Sequence, residues 1–260
     1  MPLQEQDLFL GQVDKIHSAI ARLRQFEPPE GYYLAFSGGK DSIVLKKLAQ
    51  MAKVKFDVHY SVTTIDPPDL IYFMKRHHPD VIFDFPEKPL LAMIPVHGFP
   101  LPHSRWCCED YKERGGDGRM VLTGIRWAES QRRKKRQMVE TCWNKPSKRF
   151  VHPIIDWTNA EIWEFIEKEK LPYCDMYDRG WKRLGCLMCC YAPQKQRIRE
   201  SKLYPRYTQA FLKAFCKLYQ RRSDNGKPAI QRWKSGEEMF WWWLGTKGSA
   251  PNPDQTVMFE

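Results

Sequence analysis

A short glycine-containing segment is the part of the sequence best suited to bind an anion. It is Ser-Gly-Gly-Lys-Asp-Ser at residues 37–42, here called the glycine loop. The apolar run at residues 32–36 predicts a buried strand before it, and apolar residues at helical spacing from Asp41 to about Met51 predict a helix after it. Glycines at such a turn let the backbone approach a phosphate, and the first helical amides point towards it. Lys40 adds a positive charge, and both serine hydroxyls can donate to phosphate oxygens.

Clustered cysteines form a second group of candidate residues. The adjacent Cys107 and Cys108 are followed much later by Cys186 and Cys189, which are spaced as C-x-x-C. Zinc sites usually pair two C-x-x-C knuckles, and an adjacent pair is a poor knuckle. In an iron–sulfur cube, by contrast, each thiolate can bind a different iron. An iron–sulfur cluster, a zinc ion and four unligated core thiols are therefore the alternatives.

A third candidate segment follows the strand that is predicted at residues 119–124. Gly124 stands at the carboxyl end of this strand, where a glycine brings the backbone close to a ligand, and Arg126 can form bidentate bonds to a phosphate. Basic residues continue without interruption from Arg132 to Arg136. A run of this length can follow a nucleic-acid backbone, but it can equally be a solvated basic surface.

Strands and helices alternate along much of the chain, and this alternation predicts the frame that positions the candidate residues. Strands are predicted at residues 32–36, 55–60, 81–85, 119–124 and 151–155, the last at a sheet edge because it contains a proline. Helices are predicted at residues 3–26, 41–51, 67–77, 158–166, 202–222 and 235–244. The pattern indicates an α/β fold with a parallel five-stranded twisted sheet, helices on both faces and a helical C-terminal extension. Ligands of such sheets bind beyond the carboxyl ends of the strands, where the glycine loop and Thr63 fall.

The predicted organisation has three parts. These are an N-terminal helix at residues 1–29, a nucleotide-binding α/β domain at residues 30–175, and a cysteine-containing, helical region at residues 176–260.

Composition narrows the possible environments and partners. No apolar run of the 260 residues approaches the ~20 needed to span a membrane, and the first residues lack the basic-then-apolar order of a secretion signal. We therefore expect a cytoplasmic protein with no membrane partner, in which the eight cysteines stay reduced. The net charge of +11 favours a polyanionic partner such as nucleic acid.

These motifs resemble those of the ATP pyrophosphatase (PP-loop) superfamily and, within it, the phosphoadenosine phosphosulfate (PAPS) reductase family. The glycine loop resembles the pyrophosphate loop, residues 123–132 resemble the family's second signature, and the cysteines resemble the 4Fe-4S ligands of iron–sulfur sulfonucleotide reductases. The resemblance covers about residues 30–195 and implies an adenine nucleotide alpha hydrolase-like fold. It also implies ATP, Mg²⁺ and a 4Fe-4S cluster as cofactors. The implied catalytic residues are Lys40, Asp41 and Arg126; the implied nucleotide ligands are Ser37, Gly38, Gly39, Lys40, Asp41, Ser42, Thr63, Gly124, Arg126 and Arg132; and the implied cluster ligands are Cys107, Cys108, Cys186 and Cys189.

One difference from the reductases bears on which function we expect for this chain. Those enzymes use a cysteine in a C-terminal Glu-Cys-Gly-Leu/Ile-His motif, whereas no cysteine follows Cys216 in this sequence. The chain most resembles the iron–sulfur ATP pyrophosphatase of the Dnd and Ssp types of DNA phosphorothioation system. This implies sulfur transfer to DNA, with a cysteine desulfurase and other phosphorothioation proteins as partners, and Cys190 as a possible persulfide carrier. The alternatives are a PAPS/APS reductase that releases sulfite, a tRNA thiolase and a non-catalytic ATP-binding subunit.

Overall fold

The computed structural model describes residues 3–7, 11–142, 145–225 and 232–246. The strands in these ranges are β1 (Gln4–Asp7), β2 (Gly11–Asp14), β3 (Tyr32–Ala35), β4 (Phe56–Ser61), β5 (Ile82–Asp84), β6 (Met120–Leu122), β7 (Val139–Thr141) and β8 (Arg149–Val151). The α-helices are α1 (Lys15–Gln25), α2 (Lys40–Ala52), α3 (Pro68–His77), α4 (Leu90–His97), α5 (Trp106–Tyr111), α6 (Asn159–Lys168), α7 (Gln194–Leu203), α8 (Pro205–Asp224) and α9 (Gly236–Leu244).

The chain divides into two compact units, and neither is continuous in sequence. The first comprises Met1–Val62, Pro68–Phe85 and Arg114–Leu184, and the second comprises Thr63–Pro67, Pro86–Glu113 and Gly185–Glu260. The stretch Pro86–Glu113, which the sequence placed in the nucleotide-binding domain, thus groups with the cysteine-containing C-terminal region.

A mainly parallel sheet of six described strands forms the first unit, in the order β5-β4-β3-β6-β8-β7. Five of its strands run parallel, and β7 pairs antiparallel with β8 at one edge. The predicted α/β fold is therefore confirmed, with one strand more than expected. The prediction that the proline-containing strand lies at the edge was wrong, because β7 covers the outer side of β8. Strand β8 also ends at Val151, before Pro153.

The strand order places the glycine loop at a reversal in the sheet. From β3 the chain adds β4 and β5 on one side, and it then returns to add β6 and β8 on the other. Parallel α/β sheets bind ligands at such a reversal, in the crevice outside the carboxyl ends of the strands. The glycine loop leaves β3 and Gly124 follows β6, so both come to this position.

The N-terminal segment differs from the single helix that was predicted for residues 3–26. Strands β1 and β2 form an antiparallel hairpin, and α1 begins only at Lys15. Asp14 caps this helix, since its Oδ1 accepts from the Ile16 amide at 2.8 Å. An ion pair of 2.7 Å between Lys15 Nζ and Glu161 Oε1 joins α1 to α6.

The second unit is helical, and aromatic side chains fill its core. Phe211, Phe215, Phe240 and Trp243 are all buried. The helix that was predicted over residues 202–222 is α8, which begins at Pro205 after the break at Tyr204, and α7 before it was not predicted. Helix α4 lies in a stretch for which the sequence predicted neither a helix nor a strand. No helix within the described ranges has the length and apolar character needed to cross a bilayer.

Candidate functional site

The glycine loop turns sharply between β3 and α2. Gly38 has a φ of +70°, in the left-handed region that favours glycine. A Cβ atom at this position would also lie 2.7 Å from Leu70 Cδ1 and 2.8 Å from Met74 Sδ in α3. Glycine is therefore required here both by the backbone conformation and by the packing of the neighbouring helix.

The two serines of the loop hold it together. Ser42 Oγ donates to the Gly39 carbonyl at 2.8 Å and accepts from the Ser37 amide at 3.2 Å. The amides of Gly38 and Asp41 have no hydrogen-bond partner within the described part of the chain. The serine hydroxyls thus shape the loop, and amides at the start of α2 remain available to an anion.

A group of charged side chains meets at the first turn of α2. The Asp41 carboxylate lies 2.9 Å from Lys40 Nζ and 2.7 Å from Arg126 Nε. Burial lowers the pKa of Lys40, as do the charges of Arg126 and Arg183, while Asp41 opposes the shift. The site therefore combines several cations with one loop carboxylate, an arrangement that suits a polyanionic ligand.

Arg126 is fully buried and donates to three groups of the protein. Besides Asp41, it contacts the Trp157 carbonyl at 3.1 Å and Asn159 Oδ1 at 2.8 Å. Gly124 brings this segment close to the loop, because a Cβ on it would lie 3.1 Å from the Asp41 backbone. Direct contact between Arg126 and a phosphate stays a prediction; in this structure its guanidinium positions Asp41.

Two residues that were not assigned from the sequence, Tyr177 and Arg133, interact with the same group. The Tyr177 hydroxyl accepts from the Lys40 amide at 3.0 Å. Arg133 is partly buried, and burial together with the Arg183 charge lowers its pKa. Arg132 is exposed, and its predicted role in binding the nucleotide stays a prediction. In the sequence, Arg133 was indicated only by the basic run to which it belongs, and no feature of the sequence indicated Tyr177.

A pocket of the second unit collects the clustered cysteines. Cys107, Cys108, Cys186, Cys189 and Cys190 all line it, together with the Lys112 side chain and apolar residues. The four predicted cluster ligands thus come together with a fifth thiol. We call this feature the cysteine pocket.

Within the cysteine pocket, neighbouring thiols interact in pairs. A hydrogen bond from Cys107 lowers the pKa of Cys108 to about 7, and one from Cys190 lowers that of Cys189 to about 5. The charge of Cys186 raises the pKa of Lys112, which is nevertheless an exposed residue. The same hydrogen bonds raise the pKa of Cys107 and Cys190, and burial raises that of Cys186. The pocket therefore favours the thiolate, the form in which cysteine binds metals, at one cysteine of each neighbouring pair.

Comparison with a family model identifies the chain. The model described as phosphoadenosine phosphosulfate reductase domain matches residues 31–192, which include the glycine loop and all five pocket cysteines. The chain belongs to the phosphoadenosine phosphosulfate reductase domain family.

Curated relatives of this family member are distant in sequence. Two uncharacterized proteins of Methanocaldococcus jannaschii are 28% and 26% identical to it over 77% of the chain, and these matches cover 51% and 45% of their own lengths. The chain thus spans about half the length of these two relatives. An adenosine 5′-phosphosulfate reductase of Bacillus cereus is 26% identical over 72% of the chain and 85% of its own length.

Solved structures support the fold of the family. A phosphoadenylyl-sulfate reductase from Candida auris, solved as a phosphate complex, aligns with a TM-score of 0.51 and 19% identity. The alignment covers 65% of this chain and 88% of the other. At this identity the match establishes the α/β fold and nothing further.

The donors in the cysteine pocket fit an iron–sulfur cluster chemically. Thiolates are the ligands that 4Fe-4S clusters use, usually four of them. Among the described residues, no group of three or more His, Cys, Asp or Glu side chains is arranged to hold a single metal ion. A cube does not require such a group, because each thiolate binds a separate iron.

Thr63 lies among the residues of the cysteine pocket's unit. Its Oγ1 donates to Asp66 Oδ1 at 2.7 Å and accepts from the Cys186 thiol at 3.4 Å. The predicted role of Thr63 as a nucleotide ligand stays a prediction, whereas its contact with a pocket cysteine is observed.

Proposed function

We propose that this chain is an ATP pyrophosphatase, which cleaves ATP to AMP and pyrophosphate and thereby activates a nucleic acid for sulfur transfer. The acceptor that we propose is DNA, with phosphorothioate modification as the outcome. The observation that carries the proposal is the set of free amides and cations around Asp41 at the first turn of α2. Membership of the PAPS reductase domain family supports an adenine nucleotide as the ligand.

The residues of the loop suit the departure of pyrophosphate. An acceptor oxygen attacks the α-phosphorus of ATP, and the bond to the bridging oxygen breaks, with its electron pair leaving on pyrophosphate. The Gly38 and Asp41 amides and Lys40 would bind that leaving group. The Asp41 carboxylate would help to hold Mg²⁺, which reactions of nucleoside triphosphates generally require to offset phosphate charge. Arg126 would keep this carboxylate in position.

The segment that follows Arg126 supports a nucleic-acid acceptor. Arg132, Lys134 and Lys135 are exposed and have no ion-pair partner in the described ranges. Trp127 is a large aromatic residue with 40% of its surface exposed. Cations that bind phosphates beside an aromatic ring that can stack on a base are typical of single-stranded nucleic-acid contacts.

The cysteine pocket would hold the 4Fe-4S cluster through Cys107, Cys108 and Cys186, with Cys189 or Cys190 as the fourth ligand. When bound, the cluster would supply an electron or sulfur relay for the transfer reaction. The fifth thiol would remain free to carry a persulfide from a cysteine desulfurase, which we propose as a partner.

A sulfonucleotide reductase is the second candidate, and one comparison favours it. The Bacillus cereus adenosine 5′-phosphosulfate reductase is matched over 85% of its length. This candidate predicts release of sulfite from an adenylyl sulfate in the presence of a thiol donor, with no response to DNA.

The first test is product analysis with labelled ATP and Mg²⁺, with and without duplex and single-stranded DNA. We expect AMP and pyrophosphate, with a higher rate in the presence of DNA. Lys40→Ala should abolish cleavage, whereas Lys168→Ala, which removes an exposed lysine of the same unit, should not. If the protein leaves ATP intact and releases sulfite from adenosine 5′-phosphosulfate, the reductase replaces this proposal. A protein that binds ATP but turns over neither substrate is a binding subunit.

A further inference from the structure

The hydroxyl of Tyr177 lies at the amide that opens α2. Lys40 N donates to Tyr177 Oη at 3.0 Å, although the two residues are 137 positions apart. A Cβ atom on Gly39 would be 3.3 Å from the same oxygen. A side chain from a distant part of the sequence therefore belongs to the glycine loop.

The direction of this hydrogen bond leaves a donor available. Because the amide donates, the phenolic oxygen accepts, and its own hydrogen points elsewhere. No described residue accepts that hydrogen. A hydroxyl that is polarised by a helix N-terminal amide, and that has an unused hydrogen, is suited to donate to an anionic oxygen.

Packing holds the Tyr177 ring in this position. It meets Trp163 of α6 edge-on, with ring centroids 5.3 Å apart. The backbone around it forms a turn, in which the Tyr177 amide donates to the Cys174 carbonyl at 3.1 Å and the Gly180 amide donates to the Tyr177 carbonyl at 3.0 Å. The hydroxyl is thus placed before any ligand arrives, which lowers the entropic cost of binding.

A second unassigned residue brings positive charge to the same place. Arg183 is exposed and has no ion-pair partner in the described part of the chain. Its positive charge acts to lower the pKa of Lys40, Arg133 and Tyr177. A bound polyanion would offset the repulsion between the Arg183 charge and the charges of Lys40 and Arg133.

We propose that Tyr177 and Arg183 complete the phosphate site of the glycine loop. The Tyr177 hydroxyl donates to a phosphate oxygen of the nucleotide, and the Arg183 guanidinium pairs with the same phosphate chain. The inference rests on the proposed function to the extent that a nucleotide binds at the loop, but it holds for ATP and for adenosine 5′-phosphosulfate alike.

The test is calorimetric binding of a non-hydrolysable ATP analogue with Mg²⁺, and of adenosine 5′-phosphosulfate, to the whole chain. Tyr177→Phe and Arg183→Gln should each weaken binding about 10- to 100-fold, as expected for the loss of a hydrogen bond to a charged group. Competition by adenosine, which has no phosphate, should be unchanged in both variants. Tyr173→Phe is the matched control, because this neighbouring tyrosine bonds to Asp178 instead.

The outcomes separate this inference from the function on which it rests. If Lys40→Ala loses binding of both nucleotides while Tyr177→Phe and Arg183→Gln match the wild type, the inference is overturned and the nucleotide site stands. If Tyr177→Phe weakens adenosine as much as the nucleotides, the tyrosine only supports the fold and the inference fails. If the wild type binds neither nucleotide, the inference and the proposed function fall together.

Discussion

Asp41 shows how single residues of the site depend on one another. Its carboxylate is shared between Lys40 and Arg126, and Arg126 in turn fixes the Trp157 carbonyl and Asn159. The sequence identified Lys40, Asp41 and Arg126 as site residues but not how they are connected. Arg126 was predicted to contact a phosphate, and this stays a prediction; the observed contact of its guanidinium is with Asp41.

Because Arg126 is fully buried, removing it should destabilise the protein. We expect Arg126→Ala to cost about 3 kcal/mol, since it leaves a carboxylate and a carbonyl without their buried partner. For a chain of this size the thermal midpoint should fall by roughly 6–12 °C. The exposed Arg132 is the control, and Arg132→Ala should shift the midpoint by under about 2 °C. Equal midpoints for the two variants would contradict the observed burial.

His152 should make stability depend on pH. It is fully buried beside Thr123, and burial, with the charges of Arg136 and Arg133, lowers its pKa to about 3. Between this value and about 6.5 the unfolded chain binds a proton that the folded chain does not, so stability falls as pH falls. At pH 5 the loss is about 2 kcal/mol.

Denaturant unfolding of the wild type and His152→Gln between pH 5 and 7.5 measures this effect. In the variant, the free energy of unfolding should change less steeply with pH, by the contribution of about one titrating proton, whatever its stability at neutral pH. An unchanged slope would show that His152 titrates normally.

Tyr177 marks the limit of prediction at the residue scale. The composition and order of residues 37–42 indicate an anion site by themselves, because a local turn creates it. The contact between Tyr177 and Lys40 depends on how a distant turn packs on the loop. No spacing in the sequence encodes that contact.

Helices and strands with a regular apolar pattern were predicted well, and those with an ambiguous pattern were predicted poorly. Helix α3 has the predicted end, and α6, which was predicted at residues 158–166, begins with a capping box between Thr158 and Glu161. Helix α4 was missed because its residues are almost all apolar and include Pro95, so that no amphipathic period is visible. Strand β7 has three residues, too few for an alternating pattern.

The basic run at residues 132–136 is divided by its local structure. Arg133 pairs with Glu129, and Arg136 pairs with Glu140 at 2.6 Å. The other three cations are exposed. The sequence leaves open whether this run binds nucleic acid or is only a solvated surface, and replacing the three exposed cations can decide between the two.

Replacing the exposed cations together, as Arg132→Gln, Lys134→Gln and Lys135→Gln, should weaken DNA binding uniformly across sequences. The slope of log K against log salt concentration should become shallower by up to about 3, because up to three phosphate contacts are lost. Fluorescence anisotropy at several salt concentrations measures it.

The matched control removes one arginine and two lysines elsewhere in the same unit, at the exposed Lys55, Arg76 and Lys168. If this control changes the salt slope as much as the replacement at residues 132–135 does, binding follows net charge and not the segment.

For the molecule as a whole, the discontinuity of the second unit explains how the cysteines meet. Cys107 and Cys108 lie in Pro86–Glu113, and the other three lie after Gly185, yet all five line one pocket. Sequence spacing alone grouped four of them. It could not show that Cys190 shares the pocket or that Thr63 borders on Cys186.

Anaerobically purified protein should be brown and contain about four irons per chain. Cys108→Ser should lower the iron content, whereas Cys216→Ser, at an exposed cysteine outside the pocket lining, should not. Comparing Cys189→Ser with Cys190→Ser identifies the fourth ligand as the one whose loss removes iron. A colourless protein with one zinc would refute the cluster.

The interleaving of the two units also has a consequence for synthesis on the ribosome. Pro86–Glu113 emerges well before Gly185, with about 70 residues between them. At translation rates of 5–20 residues per second, this delay is roughly 4–14 s. During that time Cys107, Cys108 and the apolar helix α4 have been synthesised, but the segment that encloses them has not. The nascent chain is then open to premature oxidation and to chaperones, and the proposed cluster could be loaded only after release of the C-terminal region.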